Sequence, residues 1–145
     1  MNAAVAARPC FIVLNAGSGR QAADATADQI RTLLTDAGRP HQLLLAEQGR
    51  DISRLAREAV ARAQAADGIV VAAGGDGTIN AVAQAALGCG QPFAVLPQGT
   101  FNYFGRTHGI PQDTAEAVAA LLAASPQPVQ VGLVNDRVFL VKPLG

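Results

Sequence analysis

Four short apolar runs constrain the fold most: CFIVL at residues 10–14, LLLA at 43–46, IVVAA at 69–73 and FAVL at 93–96. None alternates apolar with polar residues, so none suits a strand with one wet face. Each suits a strand buried on both sides. Helical patterns lie between them. Ile30, Leu33, Leu34 and Ala37 form one apolar stripe closed by Gly38, and Ile52, Leu55, Ala56, Ala59, Val60 and Ala63 form a second at the i, i+3, i+4, i+7 spacing. Strand and helix in alternation imply a parallel sheet covered by helices on both faces, a three-layer α/β architecture.

The pattern changes near the end. A helix opening at Asp113, with Glu116 three residues on, buries Ala117, Val118, Leu121 and Leu122 and stops at Pro126 and Pro128. Then VQVGLV alternates, ND supplies turn chemistry and VFLV follows, the signature of an antiparallel hairpin. The expected organisation is an α/β domain over residues 1–127, with residues 128–145 opening a second, β-rich domain that the chain does not contain. The free final strand would offer an edge through which two copies could dimerise.

Composition excludes several classes. With 145 residues, half of them apolar and 15% charged, the chain can bury a core and is not of disordered type. Eleven basic and eleven acidic residues cancel, so no broad field draws in nucleic acid, and any polyanion must be held locally. Lys142 is the sole lysine, which removes the phosphate-binding lysine of a P-loop. Cys10 and Cys89 lack metal-ligand spacing and read as free thiols of a reducing compartment. No apolar run reaches the roughly 18 residues of a membrane span, and the N-terminus lacks a leader pattern. A soluble, cytoplasmic chain is expected.

Loops rich in Gly, Asn, Ser and Thr follow three of the strands: NAGSGR at 15–20, GGDGTIN at 74–80 and PQGTFNYFGR at 97–106. Open α/β sheets bind ligands at these carboxyl ends. In the second loop Gly74, Gly75 and Gly77 let the backbone approach a ligand and present N–H groups to phosphate oxygens. A helix expected from near Ile79, with Thr78 as its N-cap, adds the partial positive charge of its N-terminus. Asp76 is the odd member. A carboxylate beside a phosphate cradle needs either a cation between them or a proton to abstract, which points to Mg²⁺ coordination or general-base work. Read alone, each turn also serves as a structural connection, and Asp76 as a helix cap. In the first loop GSGRQA fits the dinucleotide G-x-G-x-x-A spacing, with Glu47 at the end of the second run as a ribose acceptor. His41 reads as an edge residue. Arg106 and His108 read as solvated loop residues, and Phe101, Tyr103 and Phe104 as packing beneath the third loop.

LNAGSGR, GGDGTIN and LPQGTFNYFGR together resemble the catalytic domain of the diacylglycerol kinase and lipid kinase family, which includes sphingosine kinases. GGDGT is shared with NAD kinases, whereas LPxGTxN singles out the lipid kinases. The resemblance implies a Rossmann-like fold and transfer of the γ-phosphoryl group of ATP to a lipid hydroxyl such as that of diacylglycerol, at the inner membrane surface. It implies that ATP is bound by Asn15, Ala16, Gly17, Ser18, Gly19, Gly74, Gly75, Asp76, Gly77, Thr78, Asn80 and Thr100. Asp76 would stand at the phosphates and Mg²⁺, as metal ligand and catalytic group. In such kinases a second domain supplies much of the lipid site, so this stretch alone is expected to be inactive. The family usually carries Glu where this chain has Ala81, Asp where it has Tyr103, and Thr where it has Leu45 or Ala46. An NAD kinase-type phosphotransferase and a non-catalytic nucleotide-binding module are the alternatives.

Overall fold

The computed structural model describes residues 8–15, 20–97, 114–123, 128–129 and 142–143. Four parallel strands, β1 (Cys10–Asn15), β2 (His41–Ala46), β3 (Ile69–Gly74) and β4 (Phe93–Pro97), form one sheet in the order β2-β1-β3-β4. Among the described residues four α-helices accompany them, α1 (Arg20–Asp36), α2 (Ile52–Ala66), α3 (Asp76–Ala86) and α4 (Thr114–Ala123), with a 3-10 turn at Gly49–Asp51 leading into α2. Each apolar run of the sequence is a strand, and each strand extends one or two residues beyond its run.

The continuous apolar character of the strands follows from a core on each face. On one face Phe11, Val13, Val70, Ala72, Phe93 and Val95 pack with Ile52, Ala56, Ala59 and Ala63 of α2 and with Ile79, Val82, Ala83 and Ala86 of α3. On the other, Cys10, Ile12, Leu14, Val71, Ala73, Ala94 and Leu96 pack with Ala27, Ile30 and Leu34 of α1 and with Val118 and Leu121 of α4. Alternate residues of each strand thus enter opposite cores, as the two-residue period of a strand requires. The α/β sheet with helices on both faces is the one the sequence implies. Small alanines on α2 and α3 let those helices approach the sheet, and Phe93, with no exposed surface, fills the space left over. Truncating such a side chain to alanine costs about 3–5 kcal/mol.

Asp67 ends α2 in the left-handed region at φ 54, the one positive-φ residue other than glycine among the described residues. A short Asp side chain tolerates that conformation. Gly68 then donates to the Ala63 carbonyl at 2.8 Å, satisfying a carbonyl of the last turn.

The expected hairpin falls largely on residues outside the described set. At its flanks Pro128–Val129 (β5) pairs with Lys142–Pro143 (β6), and this ladder is parallel, not antiparallel. The turn expected at ND, residues 135–136, lies outside the described residues. No helix among the described residues is long and apolar enough to cross a membrane.

Candidate functional site

The register of the sheet decides where the loops emerge. Asn15 pairs with Ala46, Leu14 with Ala73, and Gly74 with Pro97, so all four strands end level along one edge. The connections after β1, β3 and β4 leave that edge from adjacent strands. The strand order reverses between β1 and β3, since the chain steps from β1 outward to β2 and then from β3 outward to β4 on the other side. Such a switch point opens a crevice between the two diverging connections. It falls between the loop after Asn15 and the loop after Gly74.

At the β3 end the chain turns at once into helix. Gly75 is the N-cap, with φ −84 and ψ −171, and α3 begins at Asp76. The Ile79 N–H donates to the Gly75 carbonyl at 3.0 Å, the first bond of the helix. This corrects the expectation of a helix from Ile79 capped by Thr78. Asp76, Gly77 and Thr78 are the first turn, and Thr78 is buried within it. A Gly N-cap followed by an acidic residue is itself a helix-start signal. The abundance of glycine in the motif masks it, because glycine also marks a loop. The N–H groups of residues 76–78 precede any intrahelical acceptor, and the dipole of the 11-residue helix adds to their charge. Together they form a ready anion site.

The glycines of this turn divide by role. A Cβ at Gly74 would lie 2.8 Å from Cβ and 2.9 Å from Oγ1 of Thr78, so the fold itself requires glycine there. A Cβ at Gly77 would meet no atom within 4 Å, and its φ is not in the left-handed region. Neither sterics nor backbone conformation accounts for Gly77, which nonetheless weakens the helix by about 1 kcal/mol relative to alanine.

Asn80 lies one turn further along α3, and its Oδ1 is buried without a hydrogen-bond partner among the described residues. An orphaned buried acceptor costs about 1–3 kcal/mol, and nothing in the packing of α3 explains it. Asn15, half-buried, ends β1 on the same edge. Ala16, Gly17, Ser18, Gly19 and Thr100 lie outside the described residues, as do Phe101, Tyr103, Phe104, Arg106 and His108. The structure therefore brings together Asn15, Gly74, Gly75, Asp76, Gly77, Thr78 and Asn80 of the expected set. Among the described residues no group of three or more His, Cys, Asp or Glu could hold a metal ion.

The opposite edge is closed by its own hydrogen bonds. Buried Arg39 donates through Nη1 to the Arg8 carbonyl at 3.2 Å and to Cys10 Sγ at 3.6 Å. His41 Nδ1 lies 2.9 Å from the Arg39 carbonyl, an edge position as expected and remote from the loops. Gln91 Nε2 donates to Asp67 Oδ1 and to the Gly68 carbonyl at 3.0 and 3.1 Å, and Arg8 Nη2 is 3.6 Å from Asp67 Oδ2. Burial pushes the Cys10 thiol above its ordinary pKa of 9.0, against the smaller opposing pull of Arg39.

Both the sequence and the fold have counterparts in known proteins. The profile of the diacylglycerol kinase catalytic domain fits residues 9–134. This chain belongs to that family. The Probable lipid kinase YegS-like of Pseudomonas aeruginosa is 38% identical over 124 residues, covering 84% of this chain and 40% of its own length. The diacylglycerol kinase of Bacillus subtilis is 32% identical over 132 residues, covering 89% and 43%. A crystal structure of a diacylglycerol kinase from Bacillus anthracis superposes with a TM-score of 0.68 at 25% identity, covering 84% of this chain and 42% of the other. The chain thus spans about two fifths of the length of the relatives it matches.

Proposed function

We propose that this chain is the nucleotide-binding part of an ATP-dependent lipid kinase that transfers the γ-phosphoryl group to a lipid hydroxyl, with diacylglycerol as the acceptor. The observation that carries this reading is the level strand edge. It puts Asn15 at the end of β1 and the first turn of α3 just past the end of β3, on the two neighbouring strands that flank the switch point.

A triphosphate fits what is there. Its oxygens would accept from the N–H groups of residues 76–78, charge-assisted bonds about twice as strong as neutral ones. Gly77 leaves room for phosphate to rest against the helix backbone. A cation held by protein carboxylates alone does not fit, given the donor set. Mg²⁺ is normally held by one or two carboxylates together with substrate phosphates, and Asp76 is the carboxylate at this turn. When bound, the ion would offset the charge of the phosphates. The chain's own contribution is orientation: in phosphoryl transfer, positioning and fixed dipoles supply most of the rate.

Calorimetric titration of the chain with ATP·Mg²⁺ and with NAD tests the reading. Saturable binding of ATP·Mg²⁺ is expected, and Asp76→Ala should remove the Mg²⁺-dependent part of the affinity while leaving binding in EDTA unchanged. In a protein carrying this chain at the full length of its relatives, the same substitution should lower phosphoryl transfer to diacylglycerol by about 10²–10⁴-fold. Preferential binding of NAD, with no response to magnesium, would replace the lipid kinase reading with that of another phosphotransferase or a dinucleotide-binding module.

A further inference from the structure

We propose that Glu47 accepts the ribose hydroxyls of the bound nucleotide and so sets a preference for ribonucleotides over deoxyribonucleotides, an inference that rests on the nucleotide reading above. The register pairs Ala46 with Asn15, which makes Glu47 the first residue beyond β2 at the level where the other loops begin. It is exposed there. Ala46 is fully buried and Leu45 partly so, and neither offers a polar side-chain atom, so Glu47 is the first polar side chain past that strand.

Placement along the edge matches the length of the ligand. Phosphates over the α3 first turn sit at the β3 end, and β2 lies two strand spacings away, roughly 10 Å. The phosphate chain and sugar of a nucleotide laid across the switch point bridge that interval. Charge selects the same position. Within two residues of the four strand ends the chain has two carboxylates, Asp76 after β3 and Glu47 after β2. A carboxylate is repelled by phosphate but stabilised where the ligand presents vicinal O–H donors, and the ribose is the part of a nucleotide that does so. Hydrogen bonds from hydroxyls to an ionised carboxylate are among the stronger ones in proteins. In dinucleotide-binding folds an acidic residue in a similar place takes the ribose.

The test compares dissociation constants for ATP·Mg²⁺ and 2′-deoxy-ATP·Mg²⁺ in the unaltered chain, in Glu47→Gln and in Glu47→Ala. The unaltered chain should prefer ATP by about tenfold, the effect of one charge-assisted hydrogen bond. Both variants should lose that factor for ATP, weaken the deoxy compound less because it presents only the 3′-hydroxyl, and so bring the two dissociation constants together. Equal weakening of both nucleotides, or of neither, would overturn the role of Glu47 while leaving the nucleotide reading standing. If the unaltered chain binds neither nucleotide, that reading fails, and the ribose assignment fails with it.

Discussion

Gly68 and Gly77 stand at opposite edges of the same sheet, and the atoms around them differ completely. A Cβ on Gly68, just before β3, would lie 2.6 Å from Phe11 Cε2 and 2.7 Å from the Pro9 carbonyl oxygen. A Cβ on Gly77, just after β3, would meet nothing. One glycine exists because the protein fills the space, the other where the protein leaves it open. At these two positions the difference tells a glycine that packing requires from one that packing does not, which the glycine content of either loop cannot do.

The largest effect is expected at the filled edge. Gly68→Ala forces apart a backbone carbonyl and a packed ring, and overpacking of this kind costs about 1–3 kcal/mol. Urea denaturation should show that loss in the midpoint, with nucleotide affinity falling only as far as the unfolded fraction grows. A variant as stable as the parent would remove the contrast between the edges.

At the open edge Gly77→Ala should do the reverse. Stability should be unchanged or rise by about 0.5–1 kcal/mol, because alanine is the better helix former. Affinity for ATP·Mg²⁺ should fall about tenfold, the loss of one charge-assisted contact to phosphate. Calorimetry and thermal melting on the same sample read both. If affinity survives, the open space above the first turn serves no ligand.

The smallest effect concerns Cys10 at the closed edge. Its thiol pKa is raised in the folded chain, by burial. In the unfolded chain the thiol ionises through about 9.0, where the native thiol still holds its proton. The native state then binds more protons than the unfolded one, so stability should decline as pH rises above about 9 toward the native pKa. Denaturation midpoints measured across that range should show this slope in the parent and a shallower one in Cys10→Ala.

The four strands and the helices between them were legible because burial on both faces leaves continuous apolar runs that no half-wet strand would show. That the loops emerge along one edge followed from the parallel order. The start of α3 was hidden, since GGDG reads as a turn until the Ile79 bond to Gly75 shows it to be a helical cap. Arg39 was not singled out at all. Its burial depends on the carbonyl of Arg8 and the sulfur of Cys10, about thirty positions away, and no local pattern encodes that meeting. The distinction between Gly74 and Gly77 likewise required knowing where the side chain of Thr78 goes.

A sheet greased on both sides has little to stop a strand from sliding. In a half-wet sheet a slip of one residue turns apolar groups into water, whereas here it would merely exchange one oily layer for the other. Alignment has to be keyed elsewhere, and the closed edge supplies the key: Ile69 N–H on the Pro9 carbonyl, Cys10 N–H on that of Pro40, and Phe11 seated over Gly68. From that datum each strand runs roughly 20 Å to where the loops begin, so the height of every strand end on the other side is gauged from the far end of the molecule.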